Sequence, residues 1–173
     1  MKFLNHFWIA LFVGVQACVI QVINQGISPV LPPAGNLGFA WVSFLAWATY
    51  FMVGCTVADG IRAWVAFIIG IVASIAIMEM AGAWAALGFW AAPLAILIIA
   101  TVLFLLELAP KLFNLIPAIY VSAAAFFACM SYVPGASYGN IFLTEMVYLT
   151  LGLLFGWMTI AFRGWYERAQ PRL

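Results

Sequence analysis

Two acidic residues stand inside long apolar runs, Glu79 and Glu145. An ionisable group at membrane depth is costly to keep, so it marks a solute or ion path by default. Glu79 follows Arg62 by 17 residues and Glu145 precedes Arg163 by 18. Those separations are about 26 and 27 Å along a helix. Counted from the basic side, both carboxyls reach the outer boundary of the hydrocarbon core at similar depth. Two readings stand side by side. The pair forms an acidic ring at an outer vestibule, attracting cations or polarising a small amide-like solute. Alternatively each carboxylate is solvated separately among the headgroups. Thr144, next to Glu145, adds to a polar patch.

The first apolar run carries four amides: Gln16, Gln21, Asn24 and Gln25. Gln21 with Asn24 and Gln21 with Gln25 have the spacing of one helix face, and Gln16 lies deepest. Such groups line a wet path or hydrogen-bond a neighbouring helix. Trp47, Tyr50 and Phe51, with Phe126 and Phe127, are candidates for a hydrophobic constriction. Trp41, Trp84, Trp90, Tyr148 and Trp157 fit interface anchors or lipid-facing bulk. Other chemistry is thin. One histidine, His6, and three cysteines without a CxxC pair offer no metal cluster and no bis-histidine haem site. No Ser–His pair falls at membrane depth. The expectation is a protein without cofactor or metal, and not an enzyme. Cys18, Cys55 and Cys129 are expected as small buried helical residues.

These residues must be positioned by membrane helices. Of 173 residues, 68% are hydrophobic and 6% charged, against about 25% charged in soluble domains. That is too few charges to cover a surface in water, so lipid is the solvent. A net charge of +1 points to no nucleic acid. Apolar runs near 5–24, 37–56, 61–80, 87–107, 113–132 and 140–162 predict six crossings in one membrane domain over 1–173. All six basic residues, Lys2, Arg62, Lys111, Arg163, Arg168 and Arg172, then fall on one side. Basic residues resist translocation, so both termini are expected in the cytoplasm. Val15-Gln16-Ala17-Cys18 loosely imitates a lipoprotein cleavage site, but Gln16 suits it poorly. The first run therefore reads as an uncleaved helix.

The connections fit this order. Gly26 to Gly35 contains Pro29, Pro32 and Pro33 without a charge, as an outer loop should. Asp59 is placed to cap the third helix. Glu107 and Lys111 are spaced for a surface ion pair. Pro93 and Pro117 kink helices or mark their starts. Val133-Pro134-Gly135 turns outside, and the tail 163–173 leaves the membrane after Phe162.

Phe44 to Phe51 and Tyr120 to Phe127 share a pattern: an aromatic, small residues, then an aromatic pair. Each precedes a helix with small residues four apart, Gly70 and Ser74 in one, Gly152 and Gly156 in the other. Small residues let backbones approach. Three helices per unit make the copies, about 1–82 and 83–162, enter the membrane in opposite directions. Such 3+3 inverted repeats place the solute path at the repeat interface.

Phe44 to Gly54, Ile116 to Ala128 and Leu149-Thr150-Leu151-Gly152-Leu153-Leu154-Phe155-Gly156-Trp157 resemble the YcdZ-like family of small bacterial inner-membrane proteins, a domain of unknown function. The resemblance covers about residues 38–160. It implies a bacterial inner-membrane location and transfers no activity or site. Two functions are carried forward. One is a channel or facilitator for a small neutral or weakly cationic solute. A deep core without charge speaks against a proton- or sodium-coupled pump. The other is a non-catalytic subunit that anchors or stabilises a larger membrane complex. Either is expected to form a homo-oligomer in the bilayer.

Overall fold

The computed structural model describes residues 2–170, with side chains from residue 6 onward. Arg172 and the Lys2 side chain lie outside the described residues. Among those described, every regular element is helical. α1 spans Lys2–Ile27, α2 Ala40–Val53, α3 Val57–Ala83, α4 Ala91–Leu105, α5 Ile116–Tyr132 and α6 Tyr138–Ala169. Short 3₁₀ segments, Ala85–Trp90 and Leu106–Leu108, flank α4. Each helix coincides with one of the six apolar runs.

Four segments are long and apolar enough to cross a membrane: His6–Ile27, Val57–Ala83, Ala85–Leu108 and Tyr138–Ala169. The other two helices are apolar but shorter, with 14 residues in α2 and 17 in α5. They are about 21 and 26 Å long, below the roughly 30 Å of a hydrocarbon core.

Local chemistry sets several ends differently from expectation. Thr56, not Asp59, caps α3: its hydroxyl accepts from the Asp59 N–H at 3.1 Å and donates to the Asp59 carboxyl at 2.6 Å. The helix therefore starts four residues early, with Asp59 in its first turn, where a negative charge favours the helix dipole. Glu107 and Lys111 form no ion pair among the described residues, because Ala109 is extended and the helical spacing is lost before Pro110. The α5 start is set by Pro117 in its first turn, and Pro93 likewise falls in the first turn of α4. α6 continues past Phe162 to Ala169, extended by an Arg163–Glu167 pair at 2.8 Å. α1 runs unbroken through Val15 to Cys18. Only Cys129 is buried as expected; Cys18 is exposed and Cys55 sits between α2 and α3 with φ 61°.

α3 and α6 form the centre. α2 packs mainly on α6 and α5 mainly on α3, while α4 lies along α3 and α1 more loosely along α6. A shift of 76 positions carries the α2 set Ser43, Ala46 and Tyr50 to Ile119, Ser122 and Phe126 of α5, all six buried. A shift of 82 carries Phe67, Gly70 and Ser74 of α3 to Leu149, Gly152 and Gly156 of α6, again all buried. The contacts follow the same register. A Cβ on Gly152 would strike the Ser43 carbonyl and the Ala46 methyl; one on Gly70 would strike the Ile119 carbonyl and the Ser122 hydroxyl. In lipid the apolar effect gives helices no reason to associate, so close backbone packing of this kind must hold them. Gly156 adds to it by seating the Tyr50 ring.

Candidate functional site

Two buried polar clusters occupy the bundle. The deeper one joins α1, α2 and α6. Trp47 Nε1 donates to Thr159 Oγ1 at 3.1 Å, and Gln16 Nε2 donates to the Phe155 carbonyl at 3.2 Å. The Thr159 hydroxyl lies 2.7 Å from Gln16 Oε1 and 2.8 Å from the Phe155 carbonyl, and its one proton serves either. Every polar atom of this cluster is thereby satisfied. Gln16 binds a neighbouring helix rather than facing a wet path, and Trp47 is an anchored core residue packed on Ile20 and Phe155.

The second cluster lies near the other end of α6. Tyr148 Oη donates to Asn24 Oδ1 at 2.8 Å, and Thr144 Oγ1 donates to the Pro32 carbonyl. The Thr144 bond draws the α1–α2 connection onto α6, and the Tyr148 bond ties the end of α1 to it. Asn36 organises it from within, its amide nitrogen 2.9 Å from the Leu31 and Pro33 carbonyls and its oxygen accepting from Gly38 N–H at 2.8 Å. Gly38 has φ 86° and abuts the Asn24 side chain, so a side chain there meets both backbone strain and a clash. Between Thr144 and Tyr148 stands Glu145. It is 1% exposed, and neither carboxyl oxygen has a hydrogen-bond partner.

The expected acidic ring is not assembled. Glu145 is buried in the protein, whereas Glu79 is exposed on α3. Distance from a basic residue along the sequence says nothing of direction around the helix. The expected amide face is divided for the same reason. Gln16, Ile20 and Asn24, four apart, face inward, and Gln21 and Gln25 are exposed. The aromatic pairs split too: Tyr50 and Phe126 are buried, Phe51 is exposed and Phe127 half-buried. The space between helices at these positions is filled by the rings themselves. Tyr148, expected at the membrane interface, is fully buried and bonded to Asn24.

The remaining concavities are apolar grooves on the outer surface of the bundle. One of about 440 Å³ lies between α3 and α6, bounded by Trp64 and Trp157, with Trp64 Nε1 bonded to Thr150 at 2.9 Å. Another, about 430 Å³, lies between α1 and α6. Neither includes Glu79, Glu145 or Gln16. At the opposite end from Glu145, Arg62 bonds Asp59 at 2.8 Å, the Lys111 carbonyl at 2.7 Å and Asn114 at 3.1 Å. It ties the α4–α5 connection to the start of α3. Among the described residues, no three His, Cys, Asp or Glu side chains gather as metal ligands.

Residues 9–164, nearly the whole of this helical unit, match a family described as "Protein of unknown function (DUF1097)". The chain belongs to that family. No curated protein and no solved structure matches it. The family gives no activity, so the function must be argued from the helices and the buried polar groups.

Proposed function

We propose that this member of the family is a facilitator for a small neutral or weakly cationic solute in the bacterial inner membrane. In this reading all six helices cross the bilayer, both termini are cytoplasmic, and the chain is a 3+3 inverted repeat within the YcdZ-like group. The observation that carries it is the duplicated packing of Gly70 on Ile119 and Ser122 and of Gly152 on Ser43 and Ala46. Two oppositely inserted copies of one helical unit give that pairing, and inverted repeats bind solutes at their interface. The six-crossing order is supported by the connections that touch: Arg62 reaches the α4–α5 connection, and Thr144 reaches the α1–α2 connection. Both contacts join segments that this order assigns to one side. The short α2 and α5 are equivalent members of the two copies, held within the bundle by longer neighbours.

In this account the filled aromatic interior is a closed form. The chain works without cofactor, does no covalent chemistry and assembles with copies of itself. Stopped-flow osmotic flux in proteoliposomes tests this: water, urea, glycerol, short amides and ammonium salts against empty vesicles. Selective acceleration of one class supports the reading; none with inserted, folded protein removes it. The alternative, a non-catalytic subunit of a larger complex, is favoured by one feature, the groove between Trp64 and Trp157 on the lipid-facing surface. Co-purification of a stoichiometric membrane partner would support it.

A further inference from the structure

Glu145 is the polar side chain for which the fold makes no provision. Each of the other buried polar side chains among the described residues has a hydrogen-bond partner. Both oxygens of Glu145 have none, at 1% exposure. A carboxyl kept in such surroundings calls for a counterpart, because a buried polar group without a partner is costly. A hard divalent ion takes six or more oxygen ligands, and among the described residues no three His, Cys, Asp or Glu side chains gather to supply them. One carboxylate matches one positive charge, and two free acceptor oxygens match N–H donors. We propose that Glu145 is the binding site for a small monovalent cation of the ammonium class, ammonium itself or a protonated methylamine, reached from beneath the α1–α2 connection. This deepens the facilitator reading and rests on it for the direction from which the solute arrives.

The connection is built as a cover. It is clipped to α6 by the residue before Glu145, where Thr144 holds the Pro32 carbonyl, and one turn along Tyr148 holds Asn24 in the last turns of α1, the helix that leads into it. Within the connection, Pro33 is buried. The shift of 82 that relates α3 to α6 carries Arg62 to Thr144. Arg62 donates to the Lys111 carbonyl in the α4–α5 connection, as Thr144 donates to the Pro32 carbonyl in the α1–α2 connection. One register position thus latches the connection ahead of each short helix, at opposite ends of the bundle. Releasing the Thr144 latch uncovers Glu145, while Arg62 keeps the other end shut.

Cys129 is fully buried in α5, which packs against α6, so its thiol reports on whether this part of the bundle opens. The test uses the full chain in vesicles, with Cys18→Ser and Cys55→Ser leaving Cys129 for a membrane-impermeant maleimide added outside. Thr144→Val keeps the shape and removes the latch, and is expected to raise labelling several-fold. Ammonium or methylammonium is expected to reverse that rise, sodium and urea not. Adding Glu145→Gln is expected to abolish the protection. Labelling that stays at the starting level in Thr144→Val, or protection that survives Glu145→Gln, overturns the proposal. Melting of the parent chain gives an arm free of the latch variant: ammonium should raise its Tm and leave Glu145→Gln unmoved, and no rise counts against the site. Protection without solute flux would retain the site and remove the facilitator; flux unchanged by Glu145→Gln, with no protection, would do the reverse.

Discussion

At the scale of single residues, the bundle is held by a few small or exactly bonded side chains, and each makes a different prediction. Gly152→Val and Gly70→Val place atoms against backbone carbonyls that cannot retreat. Each is expected to lower stability by about 2–3 kcal/mol, read from denaturant-induced unfolding in detergent. Gly14→Ala, in an open stretch of α1, is the control and should be neutral or stabilising by up to about 1 kcal/mol. Similar losses at all three positions would argue against the packing described here. Thr159→Val keeps volume but strips the acceptor from Trp47 Nε1 and a hydroxyl from Gln16. It is expected to cost about 1–3 kcal/mol and to shift the Trp47 emission. An unchanged spectrum and melt would mean the indole finds another partner.

At the scale of elements, the six runs and their loops were legible because apolar length and proline or glycine density are one-dimensional signals. The α2 and α5 pattern was legible too, since Phe44 to Phe51 and Tyr120 to Phe127 align by eye. Direction around a helix was not. Glu79 and Glu145 stand at similar separations from a basic residue, yet one is exposed and the other buried. In helices apolar on every side, periodicity gives no reference face against which to orient a lone polar residue. Thr56 as the α3 cap was missed because Asp59, three residues on, carries the same signal and the reciprocal bond. Tyr148 was missed because its partner Asn24 lies in another helix. The proposed six-crossing order predicts that Ala34→Cys, in the α1–α2 connection, reacts with an impermeant maleimide from outside intact cells in a background lacking Cys18, Cys55 and Cys129. Leu112→Cys, in the α4–α5 connection, should react only after permeabilisation. The reverse pattern, or equal labelling, would break the order.

At the scale of the whole molecule, α2 packs on α6 and α5 on α3, so under the proposed repeat each short helix lies against the long helix of the other half. Such an arrangement has two ends that can be latched separately, Thr144 at one and Arg62 at the other. It also leaves one buried carboxyl, Glu145, without an equal in the first half, where the register places Ala63. Under the proposed repeat, this asymmetry confines the buried carboxyl to one half of the bundle. The most direct measurement is stopped-flow flux of ammonium or methylammonium into proteoliposomes, with parent chain, Glu145→Gln and empty vesicles side by side. The account predicts acceleration by the parent chain, lost for the cation in Glu145→Gln. Identical traces from parent chain and empty vesicles, with the protein folded and inserted, would contradict it.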